Sequence, residues 1–225
     1  MENTNTDSPK LLLAYWGVRG RAQYLRYLLE YLQLPYEEKR YVLKDFQEWF
    51  AKDKTELPAD FPNLPYLKDG EKYITETEAI FQYLCKKSNR MDLYGKTDED
   101  QLAVTTTRWV IHDLIISVGE IAYNPDFEKI KEAAYEKKPI PKLSQLNKCL
   151  GEKEFLHGYI TYVDFILFEI LEIVNCMKKE ALEPFENLRE YHKRFAEQKW
   201  MKDYMASERF IRRPFYGPAF WNPTD

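Results

Sequence analysis

Residues 61–80, Phe-Pro-Asn-Leu-Pro-Tyr-Leu-Lys-Asp-Gly-Glu-Lys-Tyr-Ile-Thr-Glu-Thr-Glu-Ala-Ile, constrain the fold more than any other stretch. Asp69-Gly70 separates two short runs, residues 66–68 and 72–75. An Asp-Gly pair supplies the positive φ angles of a tight turn, so the runs read as an antiparallel hairpin. Thr75 and Glu78 have capping-box spacing, which predicts a helix beginning there and continuing through Ala79, Ile80 and Phe81. A strand that runs straight into a helix leaves the first helical N–H groups beside the sheet edge, a ready anion site. Pro65 cannot donate to a central ladder, so it marks an edge, a bulge or a cis bond.

Upstream, residues 10–16 form a short apolar strand ending at Gly17, and residues 21–32 carry Leu25, Leu28, Leu29 and Leu32 at helical spacing. Pro35-Tyr36 opens a second strand, 38–43, and a helical segment follows at 45–54. Strand, helix, strand, helix, hairpin, helix is the thioredoxin-like order, with the first crossover making a right-handed parallel pair.

After a polar, turn-rich stretch the chain turns helical throughout. Thr97 caps a helix whose first turn holds Asp98, Glu99 and Asp100, where anions suit the dipole. Leu102, Trp109, Ile116 and Tyr123 recur every seven residues on one face until Asn124-Pro125 ends it. Asp113 falls on that stripe, so its carboxylate must be paired or face a polar cavity. A second helix spans 126–138, and Pro139 and Pro141 break it before 143–150. Thr161 and Asp164 form a capping-box pair, with Ile160 and Phe165 at staple spacing. Residues 163–174 are apolar except Glu169 and Glu172, the pattern of a buried helix whose role is folding rather than chemistry. Helices near 185–198 and 200–206 precede an irregular aromatic tail, and no internal repeat is present.

The chain of 225 residues is long enough for two modest domains. The expected architecture is α/β plus all-α: a disordered tail 1–9, a thioredoxin-like domain 10–87, a linker 88–97, and a helical bundle domain 98–225 with an irregular C-terminal tail. A net charge of -4 argues against a nucleic-acid binder. No apolar run approaches the length of a membrane span, and the polar, acidic start is unlike a targeting signal. Cys85, Cys149 and Cys176 are an odd number without paired spacing, which suits the cytosol, and each reads as a small buried hydrophobe. The absence of Cys-x-x-Cys leaves a dithiol mechanism without support, and dispersed His112, His157 and His192 give no metal spacing.

The run Pro-Asn-Leu-Pro-Tyr-Leu, then Asp-Gly, then Thr-Glu-Thr-Glu-Ala-Ile, resembles the glutathione-binding half of cytosolic glutathione S-transferases. The segments 36–39 (Tyr-Glu-Glu-Lys), 123–129 (Tyr-Asn-Pro-Asp-Phe-Glu-Lys) and 160–165 (Ile-Thr-Tyr-Val-Asp-Phe) narrow the resemblance to the mu class, and it extends roughly from Lys10 to Trp221. The resemblance implies a cis Pro65, with the Leu64 backbone pairing with the cysteinyl part of glutathione. Glu76 and Thr77 would hold the γ-glutamyl end. Lys54 and Trp49 would meet the glycyl carboxylate, with Trp16 and Asn63 nearby, and Asp113 would reach the ammonium of the partner subunit's glutathione. Tyr15 would be the catalytic tyrosine and Tyr123 a second, electrophilic donor. Val18, Arg21, Tyr123 and Tyr216 would line the electrophile pocket, and Phe61 would be the aromatic key of a homodimer.

The chemistry gives Tyr15 a task. A thiol near pKa 8.5 is mostly protonated at neutral pH, the thiolate is the nucleophile, and a fixed neutral O–H donor stabilises it. The competing readings are structural: Tyr15 filling the domain interface, Tyr123 ending a helix in the core, Lys54 solvated, Asp113 bonded within its own chain, and Phe61 packed under its own loop. Three positions depart from the mu pattern: Glu76 replaces the usual glutamine, Arg21 an apolar pocket residue, and residues 41–49 are too short for the extra loop of many mu enzymes.

The resemblance therefore implies a cytoplasmic, homodimeric transferase with glutathione as co-substrate, no metal, no nucleic acid and no membrane span. It would conjugate the glutathione thiolate to apolar electrophiles. The rivals are a glutathione-dependent isomerase of a lipid endoperoxide, and a non-catalytic ligand-binding or interaction module on the same fold.

Overall fold

The structure, a computed structural model, describes residues 10–223, so the tail expected at 1–9 lies outside the described residues. Strand β1 (Leu11–Trp16) is central in a four-stranded sheet of order β2-β1-β3-β4. Helix α1 (Ala22–Tyr31) crosses over to β2 (Tyr36–Tyr41), which pairs in parallel with β1. Strand β3 (Tyr66–Asp69) pairs antiparallel with β1 and then with β4 (Lys72–Thr75), and helix α2 (Thr77–Lys87) follows at once.

Side chains alternate across β1, as strand geometry requires. Leu11 and Leu13 join Leu25, Leu28 and Leu29 of α1 in the main core, whereas Ala14 packs with Tyr41, Trp49, Leu64 and Tyr66 on the other face. The 43–56 segment that supplies Trp49 passes from 3-10 through α to π hydrogen bonding.

Several local expectations shift by a residue or two. β2 begins at Tyr36 because the parallel register runs from Leu11 opposite Tyr36 to Trp16 opposite Tyr41, and it stops where the Val42 N–H turns to Asp45 Oδ2. Asp69 pairs with Lys72, so the turn is Gly70-Glu71 with the positive φ (59°) at Gly70 alone, glycine at the first central position. Thr75 stays in the sheet opposite Tyr66 and caps nothing. Glu76 takes the N-cap position of α2 at φ 68° without a side-chain cap, and Glu78 pairs with Arg108 instead.

Helix α3 (Asp98–Ala122) opens with Thr97 Oγ1 accepting from the Asp100 N–H, as expected. Its seven-residue stripe faces outward: Leu102 is 70% exposed and Trp109 61%. A second series at the same period, Val104, Ile111 and Val118, carries the buried face. α4 (Phe127–Lys137) leads into α5 (Pro139–Leu150), where both prolines sit inside the helix start rather than before it. There the missing N–H costs nothing. α6 (Tyr162–Met177) is the buried centre, followed by α7 (Glu186–Ala196) and α8 (Lys199–Met205). α1 packs on α2, α6 and α8, so one hydrophobic cluster runs from Leu11 to Phe215. Cys85 is buried as expected, Cys176 is half-buried, and Cys149 is exposed, which corrects its reading as a core residue.

The capping box at the α6 N-terminus is fully buried. Asp164 Oδ2 accepts from the Thr161 N–H (2.7 Å) and Oγ1 (2.9 Å), and Oδ1 accepts from the Tyr191 hydroxyl (3.2 Å). Thr161→Ala should cost about 1 kcal/mol in unfolding free energy, read by chemical denaturation, with glutathione affinity of the folded protein unchanged. A large affinity change at unaltered stability would contradict this.

Candidate active site

Strand β1 delivers Tyr15 and Trp16 at its C-terminal end, and residues 17–21 then fold back over the tyrosine. Gly20 has φ 42°, and a Cβ there would stand 2.8 Å from both Cε1 and the hydroxyl oxygen of Tyr15. Only glycine lets the loop close on the ring. The Arg21 backbone N–H donates to the Tyr15 hydroxyl oxygen at 3.3 Å. Burial pushes the Tyr15 hydroxyl above its ordinary range, partly offset by the Arg21 N–H and the charges of Arg21 and Arg26. It therefore stays a neutral O–H donor at physiological pH.

Two cavities meet at Tyr15. The first, of about 460 Å³, is lined by Trp16, Trp49, Lys54, Asn63, Leu64, Pro65, Glu76 and Thr77 as well as Tyr15. The structure thus brings together every residue expected around glutathione except Asp113, and adds Arg21 and Phe50. The Leu64-Pro65 bond is cis, which settles the three options for Pro65. Asn63 ties the β3 approach to α2: its Nδ2 donates to Glu76 Oε1 (3.1 Å) and its Oδ1 accepts the Leu64 N–H (2.9 Å). Glu76 holds a backbone conformation that L-residues rarely adopt, the kind of local strain found at ligand sites. Trp49 is buried against Tyr41 and Tyr66. Lys54 has no ion-pair partner among the described residues, and its ammonium lies 5.7 Å from the centre of the Phe50 ring.

The second cavity, of about 580 Å³, lies between the sheet and the helices. Val18, Arg21, Tyr123 and Tyr216 line it as expected. Tyr123 is 46% exposed at the end of α3, its ring 5.5 Å from that of Tyr216, so it is a rim residue and not a core one. Ile115, Gly119, Ile170 and Ile173 were not foreseen as lining. The signal was present for α3, where Ile115, Gly119 and Tyr123 follow at four-residue spacing. Ile170 and Ile173 lie on α6, read from sequence as core alone.

Asp113 is paired, as its place on the stripe requires, but on the surface. It is exposed on α3, is absent from the lining of the polar cavity of its own chain, and pairs with Lys142 of α5 at 2.7 Å. Its stripe is the outward one, so pairing comes from a surface lysine rather than from a buried group. Lys142 holds its carboxyl below the usual range. Phe61 is 77% exposed and is not packed under its own loop.

A polar cavity at a strand-to-helix junction thus adjoins an apolar cleft, with Tyr15, Trp16 and Arg21 lining both. The family models for the glutathione S-transferase N-terminal and C-terminal domains match residues 12–86 and 112–208. Glutathione S-transferase Mu 2 of Mus musculus is 37% identical over 219 residues, covering 95% of this chain and 99% of that protein. Glutathione S-transferase Mu 1 of Homo sapiens is 36% identical, covering 94% and 98%. Among solved structures, the pi-class glutathione S-transferase of Onchocerca volvulus superposes with a TM-score of 0.79 at 25% identity, covering 92% of this chain and 98% of that one. The glutathione S-transferase Blo t 8 gives 0.80 at 29%, covering 92% and 97%. The chain belongs to the glutathione S-transferase family, on the mu-class side, and is a transferase with glutathione as its co-substrate.

The loop geometry makes a prediction. Gly20→Ala should destabilise by about 1–3 kcal/mol and lower glutathione-dependent turnover, because the methyl group meets the Tyr15 phenol. Gly17→Ala, whose Cβ would meet its nearest atom, Val42 Cγ1, at an ordinary 3.5 Å, is the control and should lose little of either. Equal effects at the two positions would contradict the close-approach argument.

Proposed function

We propose that Tyr15 activates the glutathione thiol and that the sulfur then attacks acceptors seated in the interdomain cleft. The observation that carries this reading is that the two cavities share Tyr15, Trp16 and Arg21 as lining, with the Tyr15 hydroxyl already fixed by the Arg21 N–H. Glu76 and Thr77 receive the γ-glutamyl end at the uncapped start of α2, the Leu64 backbone meets the cysteinyl part, and Lys54 with Trp49 receives the glycyl carboxylate. The thiol proton leaves to solvent, the Tyr15 O–H donates to the thiolate, and the sulfur forms its bond to the electrophilic carbon as the leaving group departs. Proximity and a preorganised donor supply the acceleration. The largely aliphatic and aromatic lining of the cleft favours apolar electrophiles, and Tyr123 at its rim is placed to donate to them. No observation favours the isomerase or the non-catalytic module.

The working unit in this reading is a cytoplasmic homodimer. Exposed Phe61 and the outward series Leu102, Trp109 and Ile116 are apolar surface that a second copy would cover, with Asp113 beside it. Three free cysteines, Cys85, Cys149 and Cys176, suit a reducing compartment. The domain division at 10–87, 88–97 and 98–225 is part of the same reading.

Tyr15→Phe removes one oxygen and keeps the ring. If the hydroxyl supplies about 2 kcal/mol, conjugation of an aryl halide should fall more than tenfold at pH 7 and partly recover at alkaline pH, with the glutathione KM little changed. Full activity, or a loss without alkaline recovery, would contradict the assignment. Phe61→Ala should shift a dimer towards monomer in analytical ultracentrifugation. A monomeric wild type would sink the assembly reading.

A further inference from the structure

Beyond the capping Asp164, helix α6 carries a second carboxylate with no exposure to solvent, Glu169, and its partner is Arg19, 1% exposed, in the loop after β1. Arg19 Nε donates to Glu169 Oε1 (3.0 Å), Nη2 donates to Oε2 (2.5 Å), and Nη2 also donates to the Tyr27 hydroxyl (2.8 Å). Tyr27 in turn donates to Glu169 Oε2 at 2.9 Å. Phe210 and Phe215 flank the guanidinium. The neighbouring Glu172 is engaged by His192 at 2.6 Å and stands 3.9 Å from Arg19. An ion pair this buried adds little to stability over apolar side chains of the same shape, since desolvation offsets its attraction. Folding alone does not explain a glutamate in the middle of the most apolar helix.

Its location does. Arg19 is bonded covalently to Gly20, and Gly20 to Arg21, the two residues that touch the Tyr15 phenol. The same short loop is gripped elsewhere: the N–H groups of Arg19 and Gly20 donate to the carbonyls of Pro214 (3.0 Å) and Phe215 (2.8 Å), and Arg26 donates to the Val18 carbonyl (3.0 Å). From the helical core, Glu169 grips Arg19 by two charged hydrogen bonds, with Glu172 further off at 3.9 Å. We infer that Glu169 is a positioning residue for thiol activation: through Arg19 it holds Gly20 and Arg21 against Tyr15, keeping the Arg21 N–H on the hydroxyl oxygen. A hydroxyl that accepts a bond is a stronger donor, so the grip is felt at the glutathione sulfur. The inference rests on the reading of Tyr15 as the donor to the thiolate.

The test is the pKa of bound glutathione, titrated by ultraviolet thiolate absorbance in wild type, Glu169→Gln, Tyr15→Phe and the double variant. Glu169→Gln should raise the bound thiol pKa by about 0.5 unit or more, a threefold loss of thiolate below the pKa, with glutathione affinity within about twofold. In the Tyr15→Phe background the same substitution should add no shift, because the hydroxyl it acts on is gone. A merely structural glutamate would lower the melting temperature and leave the pKa where it was. An unchanged pKa in folded Glu169→Gln, or an equal shift in both backgrounds, overturns the inference. If Glu169→Gln does not fold, Tyr27→Phe loosens the same cluster and should give a smaller rise, again absent without the Tyr15 hydroxyl; no rise there overturns it equally. An unchanged pKa in Tyr15→Phe itself removes the reading of Tyr15 and the inference with it. A shift in Tyr15→Phe with none in Glu169→Gln removes the inference alone.

Discussion

The structure depends on how closely the loop after β1 approaches the phenol of Tyr15. The glycine at Gly20 lets the loop pack on the ring, and the Arg21 N–H bonds to the hydroxyl oxygen. The sheet alone cannot impose this. β1 ends at Trp16, and the loop beyond is held by the tail carbonyls of Pro214 and Phe215, by Arg26 of α1 and by Glu169 of α6. The second half of the chain is therefore part of the first half's functional loop, besides forming the far wall of the cleft.

Strand alternation supplies the rest of the arrangement. Leu11 and Leu13 face the helices, which frees the opposite face of β1 for the small aromatic cluster of Tyr41, Trp49 and Tyr66 beside the polar cavity. The hairpin returns the chain to the same edge, and the turn from β4 into α2 through Glu76 brings an uncapped helix start to that cavity. The polar cavity thus belongs to the sheet and α2, the apolar one to α3, α6 and the tail, and Tyr15 stands where they join.

Much of this was legible in the sequence, because it is written locally. The hairpin, the strand-helix order, the Thr97 cap and the Thr161–Asp164 box each rest on residues a few positions apart. What failed were statements that need a partner from elsewhere. A seven-residue period on α3 says that a face exists, but two series share that period, and only tertiary packing decided that Val104, Ile111 and Val118 turn inward. Asp113 lies on the outward series for that reason, paired with Lys142. Thr75 had the spacing of a cap, yet its pairing with Tyr66 kept it in the sheet. Of the residues around Tyr15, those carried by the resemblance do line the two cavities. Arg19 and Glu169, 150 positions apart, were invisible as a pair. The trace they left was a charged residue in an apolar helix, a pattern that calls for a buried partner.

The most direct measurement is a crystal structure of the protein with reduced glutathione bound. The account predicts the sulfur within about 3.5 Å of the Tyr15 hydroxyl, a hydrogen-bond distance for this softer acceptor. The Arg21 N–H should remain on the same oxygen, and the γ-glutamyl end should lie at Glu76 and Thr77. Glutathione in the polar cavity with its sulfur turned from Tyr15, against the Arg21 guanidinium or a backbone N–H, would contradict it.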